Sequence, residues 1–203
     1  AAGVWGGRTY GLPLYAAPMA MVYSAVAMVR SGWDSRALPS DWGRFTEFVR
    51  RHTAVEGAEV VRRGTGREWL SSWRGFLAAL WQAGGEIDPE RGRADLVSAP
   101  ALRALAFLSE LHAVVYQPHW VERPDGREPP LASGAVASLF TTSVILDDIA
   151  SAAPEWLPFL ETGPPLRAQE QAPALLVDLV ALTVAGAAEE HAWELLRRLT
   201  SEK

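Results

Sequence analysis

The sequence of 203 residues contains no cysteine, and this absence excludes several kinds of site at once. Without a thiol the chain has no disulfide framework, no thiolate ligand for a metal and no cysteine nucleophile. The absence does not decide the compartment, because an exported protein can also fold without disulfides.

Lys203 is the only lysine, so arginine supplies nearly all the positive charge, and 24 acidic against 19 basic residues give a formal net charge of −5. Such a chain lacks the basic surface that nucleic-acid binding requires. Hydrophobic residues make up 49% of the chain and charged residues 21%. This composition is typical of a globular domain, and the chain is long enough to build a hydrophobic core.

The run from Thr9 to Val29 carries no charge and is long enough to cross a membrane. Pro13 and Pro18 lie inside it, and each would remove a hydrogen bond from a helix. The alternation over Met19–Tyr23 instead predicts a buried strand. No signal-peptide pattern precedes this run.

No catalytic motif is visible in the sequence. The serines lack the Gly-x-Ser-x-Gly surroundings of a hydrolase nucleophile, and neither phosphate-loop pattern occurs. His112 and His119 are separated by a helix-breaking Pro118, and no cluster of zinc ligands is present. Asp147 and Asp148 are adjacent, so on a helix they point in different directions and cannot share a substrate. We therefore expect no enzyme activity and no cofactor.

Several helices can be predicted from caps and apolar spacing. Ser40 is suited to cap a helix that begins at Trp42. Glu68–Gln82 has a broad apolar stripe, and Gly84-Gly85 provides its stop. Ser98 caps a further helix, and the residues at its buried spacing are Leu102, Leu105, Leu108, Leu111 and Val115.

Strands are fewer and more scattered than helices. We predict them over the apolar segments Leu12–Tyr23, with a bend at Pro18, Ala135–Phe140 and Leu175–Val184. A helix over Ser143–Ala152 precedes an irregular, proline-rich stretch at Pro154–Pro173, and a closing helix covers Ala187–Ser201. The order indicates a helix-rich α/β fold.

Nine tryptophans are an unusual number for this length. Aromatic rings cover the apolar faces of sugars, while hydroxyl, amide and backbone groups bind their rims. Trp81 and Trp120 lie near predicted loops and are candidates for such a role. The tryptophans that we expect in the core are Trp42, Trp69, Trp73 and Trp193.

Six segments resemble, in the same order, the extracellular solute-binding proteins of ABC importers, in the maltose and multiple-sugar branch. The first contains Gly-Leu-Pro, the second is Pro-Ser-Asp-Trp-Gly-Arg-Phe, and the third contains Trp-Gln-Ala-Gly-Gly. In order, the segments are Gly11–Tyr23, Pro39–Phe48, Leu80–Ile87, Ser98–Leu108, Leu131–Phe140 and Glu189–Glu202.

The resemblance implies a periplasmic-binding-protein-like type II lobe, with a few-stranded sheet flanked by helices. It implies that residues 1–203 form a single domain like the second, C-terminal lobe, and that residues 4–23 and 154–185 are like the segments that cross between lobes. The first lobe and a signal peptide would lie upstream of Ala1. Extracytoplasmic location, ABC permease subunits and a small solute, most simply a sugar, follow from the same resemblance.

The resemblance also implies a ligand site at three turns facing the cleft between the lobes, which close by hinge bending. Here the matching residues are Tyr15, Ala16 and Ala17, then Trp81, Gln82, Gly84 and Gly85, then Thr141, Thr142 and Ser143.

Two positions depart from the family pattern. Val144 stands near the place of a sugar-stacking tryptophan, and Ser24 follows Tyr23 where the family has asparagine. Tyr15 is then the candidate for the missing aromatic face. Two alternatives stay open: a diverged α/β domain that binds a partner without a ligand, and a hydrolase with an unusual site.

Overall fold

A computed structural model describes residues 3–57, 59–88, 93–94, 96–116, 130–172, 174–183 and 190–200. Seven α-helices occur in this part of the chain: α1 (Ala25–Ser31), α2 (Trp42–His52), α3 (Trp73–Gln82), α4 (Ala99–Val115), α5 (Pro130–Ser133), α6 (Val144–Ala152) and α7 (Glu190–Thr200). A 3₁₀ helix covers Pro154–Phe159.

The described strands are β1 (Val4–Trp5), β2 (Arg8–Thr9), β3 (Leu12–Ser24), β4 (Ala54–Glu56), β5 (Glu59–Arg62), β6 (Ile87–Asp88), β7 (Arg93–Ala94), β8 (Ser138–Thr142), β9 (Leu160–Gly163) and β10 (Ala174–Val180). The order of the main sheet is β10-β3-β8, with β9 also paired to β3. The pairs β1–β2, β4–β5 and β6–β7 form small antiparallel hairpins.

The chain divides into two compact units. The first comprises residues 1–18, 87–94 and 175–203, and the second comprises residues 19–86 and 95–174. In the second unit, β3 pairs antiparallel with β8 over Met19–Tyr23 and with β9 over Met21–Ser24. The mixed sheet and helix architecture confirms the helix-rich α/β fold. The expectation of a single domain over residues 1–203 stays a prediction.

The core of the second unit centres on aromatic packing around α2. Phe45 and Phe48 are fully buried, and Tyr23 meets Phe48 edge to face at 5.2 Å between ring centroids. Such geometry adds to the free energy gained by burying apolar area. Burial also raises the pKa of the Tyr23 hydroxyl.

Several helix boundaries differ from the sequence-based prediction. Asp41, not Ser40, caps α2, because its side chain accepts a hydrogen bond from the backbone N–H of Arg44 at 2.9 Å. Helix α3 begins only at Trp73, with Ser72 as its cap. The later start places the Trp73 side chain in solvent at 64% exposure, so its predicted core position is wrong.

The cap at Ser98 is confirmed, since its hydroxyl accepts from the N–H of Ala101. The predicted buried face of α4 is partly wrong, because Leu102 and Leu105 are 56% and 45% exposed. Small residues pack there instead, with Ala101 and Ala104 fully buried. Alanine allows a close approach of helices, which rotates the buried face away from the two leucines.

Other differences concern strands and the proline-rich segment. Strand β3 continues as one strand through Pro18, and the predicted strand over Ala135–Phe140 lies at Ser138–Thr142. The segment expected to be irregular contains the 3₁₀ helix and β9. In the first unit, Trp193 is 46% exposed, so its expected core position is wrong. The predictions on His119 and Trp120 lie outside the described residues.

His52 is buried at the end of α2. Its Nδ1 lies 2.8 Å from the Phe48 carbonyl, its Nε2 lies 2.6 Å from the Ser31 hydroxyl, and its ring stacks on Phe48. Because a carbonyl only accepts, Nδ1 carries a proton in either charge state. Burial lowers the pKa of His52 below 6.5, although the bond to Phe48 opposes the shift and Arg51 adds to it.

We expect stability to fall as the pH decreases below about 6.5. Between pH 6.5 and the lower pKa of the folded state, His52 is protonated in the unfolded chain and neutral in the folded chain. A decrease in pH therefore favours unfolding. The free energy of unfolding, measured in urea at pH 7.5 and 5.5, should decrease across this interval. His52→Gln should destabilise at pH 7.5 by about 1–3 kcal/mol and flatten the dependence.

The matched control is His112→Gln, at a half-buried position on α4 where the ring stacks on Tyr116. This variant removes an imidazole other than the one bonded to Phe48 and Ser31, so its slope shows how far the loss of a histidine elsewhere alters the pH dependence. Equal slopes for His52→Gln and the unchanged chain would contradict the role of His52.

Candidate functional site

The turn after α3 is one of the three predicted ligand-binding segments, and its two glycines have a structural role. Gly84 has φ +78°, its N–H donates to the Trp81 carbonyl, and the Gly85 N–H donates to the Leu80 carbonyl. These two bonds form a Schellman motif, which satisfies carbonyls left open at a helix end. Gly85 lies against Leu80 and Pro100, where a side chain has no room.

Gln82 precedes this turn and is 5% exposed. Its Oε1 accepts a hydrogen bond of 2.8 Å from Trp42 Nε1, and its backbone carbonyl accepts from the N–H groups of Gln169 and Glu170. The side-chain oxygen that was predicted to bind a ligand therefore already has a partner within the protein. Trp81, the neighbouring candidate, is half-buried.

Arg103 braces the same turn from α4. Its Nη2 donates to the Ala83 carbonyl at 2.9 Å and lies 3.2 Å from Gln169 Oε1. The Trp42 ring stacks on Phe107, with centroids 4.1 Å apart and planes 4° apart. The turn is thus held by both α2 and α4.

The second predicted segment lies between β8 and α6. Thr141 and Thr142 pair with Ala20 and Met19 of β3, and Ser143 stands at the start of α6 without a side-chain capping bond. All three side chains are half-buried. Within the described parts of the chain, no hydrogen bond involves their hydroxyl groups, so these hydroxyls are available to a ligand.

The third segment lies in β3 within the first unit. Tyr15 is 41% exposed and Ala16 is exposed, whereas Ala17 is fully buried. Because Ala17 has no accessible surface, a solute cannot contact it in this structure. The structure thus groups Gln82, Gly84 and Gly85 at one turn and Thr141–Ser143 at another, both in the second unit.

A groove of about 900 Å³ between α2 and α4 was not predicted from the sequence. Its lining residues are Trp42, Gly43, Thr46, Glu47, Arg50, Arg51, Arg103, Ala106, Phe107 and Glu110. Arg50 and Glu110 form an ion pair of 2.8 Å between the two helices, and none of the predicted ligand-binding residues lines the groove. Because these partners are 60 residues apart, local spacing gives no signal for the groove.

The described residues contain no group of three or more histidine and acidic side chains placed to hold a metal ion. In the same residues, no helix combines the length and the apolar character needed to cross a bilayer.

No protein-family model matches this chain, and no curated protein matches its sequence. Solved structures do match this chain. An ABC transporter solute-binding protein from Thermotoga lettingae, bound with α-D-tagatose, is 22% identical with a TM-score of 0.74, and the match covers 98% of this chain and 52% of that one. The chain has the fold of sugar-binding ABC transporter proteins.

Two further structures agree. An ABC substrate-binding protein from Listeria monocytogenes, in complex with cycloalternan, is 17% identical with a TM-score of 0.76 over 99% of this chain and 50% of that one. A maltose-bound protein from T. maritima is 20% identical with a TM-score of 0.65, over 98% and 51%. The chain therefore spans about half the length of these proteins.

Gly84 provides a test of the turn. Gly84→Ala should lower the free energy of unfolding by about 1–2 kcal/mol, because alanine is disfavoured at positive φ and its Cβ would crowd Gln169. Gly84→Asn should cost less, since asparagine tolerates this conformation better. Urea denaturation of the three proteins measures the order.

The control is Gly43→Ala in the first turn of α2, where the added carbon meets nothing closer than 3.4 Å. Gly43→Ala should leave the free energy of unfolding unchanged or raise it by up to about 1 kcal/mol. Equal destabilisation at positions 43 and 84 would contradict the Schellman assignment.

Proposed function

We propose that this chain is the second lobe of a two-lobed ABC-importer solute-binding protein and that it holds a carbohydrate without converting it. The observation that carries the proposal is the likeness of nearly the whole chain to about half of several sugar- and polyol-bound transport proteins. Permease subunits and the other lobe are its proposed partners, and its proposed location is extracytoplasmic.

The chemistry of the predicted site supports an uncharged ligand. The ten predicted residues include no acidic, basic or histidine side chain. The hydroxyls of Thr141, Thr142 and Ser143 can exchange hydrogen bonds with sugar hydroxyls, and the exposed ring of Tyr15 can cover an apolar sugar face. Neutral hydroxyl groups and an exposed aromatic ring, each taken by itself, suit a polyhydroxylated solute better than an ion.

The proposed function does not include catalysis. His52 is enclosed by Ser31, Phe48 and Trp33, and His112 stacks on Tyr116. Neither histidine is placed beside a nucleophile of the predicted site. We propose that the protein only binds, by contacts that a closing partner lobe completes.

The chain alone should bind sugars weakly. One wall of a cleft leaves much of the ligand in water, and the cost of immobilising the ligand is unchanged. Calorimetry of the 203-residue chain with tagatose, mannitol, maltose and mannotriose should give dissociation constants above about 1 mM. Micromolar binding by this chain would contradict the half-site interpretation.

In the complete two-lobed protein, Tyr15→Ala should raise the dissociation constant of a bound sugar about 10-fold, which corresponds to about 1.4 kcal/mol. Thr142→Val should raise it by a similar factor, because it removes a hydroxyl but keeps the side-chain shape. Calorimetry with the sugar that binds best in the panel measures both effects.

Tyr10→Ala is the matched control, since Tyr10 is also an exposed tyrosine of the first unit, at 60%, but is not among the predicted site residues. Its dissociation constant should equal that of the unchanged protein. Unchanged affinity in Tyr15→Ala and Thr142→Val would place the ligand elsewhere.

A diverged partner-binding domain without a ligand is the second candidate. The observation in its favour is Val144, 36% exposed, near the position where the family carries a stacking tryptophan. A two-lobed protein that binds its permease but no sugar of the panel would favour this candidate. Turnover of chromogenic glycosides or esters would favour the hydrolase alternative.

A further inference from the structure

The groove between α2 and α4 takes no part in the proposed function, yet it has the features of a small-molecule site. Its volume of about 900 Å³ lies in the range of such sites. Its most buried lining residues are Phe107 and Thr46, at 5% and 8% exposure. Trp42 stacks on Phe107 but is only half-buried, so part of its ring remains open to the groove. This floor can therefore cover the flat apolar body of an organic molecule.

A hydroxyl group also lies in the floor of the groove. The Thr46 side chain forms no hydrogen bond within the described residues. Threonine in a helix can bond the carbonyl four residues earlier, as Thr53 does with Val49 at the end of α2. The neighbours of Thr46 do not seal off its Oγ1. This hydroxyl is therefore available to a polar atom of a ligand.

Arg103 supplies a cation at one end of the groove. Its Nη2 makes both of its described bonds, to the Ala83 carbonyl at 2.9 Å and to Gln169 Oε1 at 3.2 Å. Trp42 bonds the neighbouring Gln82, so this cation lies beside the aromatic floor. Nε and Nη1 carry the other three N–H donors of the guanidinium, and these form no hydrogen bond with the described residues. An arginine already held by Nη2 loses less conformational entropy when its remaining donors bind an anion.

The charges at the other end of the groove largely offset one another. Arg50 lies about 12 Å along α2 from the first residue of the helix, and its Nη2 is paired with Glu110 at 2.8 Å. Arg51 is bonded to two backbone carbonyls at the end of α1, and Glu47 lies one turn before it on α2. Three arginines and two glutamates line the groove, so the excess positive charge is that of Arg103.

We propose that the groove between α2 and α4 is a second ligand site of this protein and that it takes an aromatic oxyanion, a flat ring that carries a carboxylate or a sulfonate. The ring lies on the floor formed by Trp42 and Phe107. The oxyanion accepts hydrogen bonds from Nε and Nη1 of Arg103, and the Thr46 hydroxyl bonds a further polar atom. The site is separate from the proposed sugar site, because none of the predicted sugar-binding residues lines the groove.

Other occupants use only part of these features. An inorganic anion would bind Arg103 and leave the aromatic floor in water. A neutral sugar would leave the excess positive charge without a counterpart. A nucleic acid needs a row of cations along its phosphates, whereas two of the three arginines here are offset by glutamates. An aromatic oxyanion uses both the floor and the cation.

The test is a titration of the 203-residue chain with 2-naphthoate, followed by nitrogen-15 and proton NMR. The dissociation constant should be about 1 mM or lower. The signals of Trp42 Nε1–H and Arg103 Nε–H should shift, and the indole signal of the exposed Trp73 should stay in place. The uncharged analogue 2-naphthamide should bind at least about 10-fold more weakly, because it has the same flat body without the charge.

Ala106→Phe fills the groove from an exposed position of α4 and should weaken 2-naphthoate binding at least about 10-fold, because the new ring occupies the place of the ligand. The matched control is Ala113→Phe. Ala113 is also an exposed alanine of α4, but it does not line the groove. This control should leave the affinity unchanged.

Arg103→Gln should weaken binding at least about 10-fold, and Arg103→Lys should restore part of the affinity, because lysine returns the charge without the fixed donors. Arg44→Gln is the control, since Arg44 is an exposed arginine of α2 outside the groove lining. Its affinity should equal that of the unchanged chain. Circular dichroism checks that each variant is folded, and if Arg103→Gln is not, the comparison of Ala106→Phe with Ala113→Phe decides the result.

Three outcomes would overturn the proposal. They are the absence of any saturable shift, equal affinity for 2-naphthoate and 2-naphthamide, and binding that Ala106→Phe leaves intact. A parallel titration with 2-naphthalenesulfonate distinguishes the two oxyanions, and tighter binding of either one identifies the group that the site prefers. The sugar titrations and these titrations use different ligands and different variants, so failure of one site is distinguishable from failure of the other.

Discussion

The second unit depends on the contacts that Trp42 makes between three helices. Its ring stacks on Phe107 of α4, and its Nε1 donates to Gln82 at the end of α3. A buried amide that lost this bond would carry the free-energy cost of an unsatisfied polar atom. Since Gln82 immediately precedes the Gly84 turn, the same bond fixes where α3 ends and therefore where the turn is presented. A single side chain of α2 thus connects core packing to the candidate site.

The parts of the fold that the sequence predicts well depend on neighbouring residues. The cap at Ser98 and the stop at Gly84-Gly85 are local hydrogen-bond patterns, and both are present in the structure. The errors arise where two local solutions compete. Ser40 and Asp41 can each cap a helix, and the apolar stripe from Trp69 to Gln82 continues across a capping residue, Ser72. Tertiary packing decides both cases, and local propensity does not.

The candidate site is less predictable because its restraints are distant in sequence. Gln82 meets Trp42 across 40 residues, and Arg103 meets Gln169 across 66. Motif resemblance predicts the segments of the site but not which of their side chains already form hydrogen bonds within the protein. The groove between α2 and α4 was missed for the same reason, since Arg50 and Glu110 come together only after the helices pack.

This distinction separates residues that carry the fold from residues that can report the ligand. The Trp-x-x-Gly-Gly segment ends α3 in a Schellman motif, and glycine is favoured there whatever ligand the protein binds. Gln82 and Gly84 are therefore weak evidence for a particular solute. The hydroxyls of Thr141, Thr142 and Ser143, by contrast, satisfy no described hydrogen bond of the fold. Because these groups form no hydrogen bond within the described fold, we expect selectivity between ligands to vary with their arrangement, and we propose to seek the identity of the solute there.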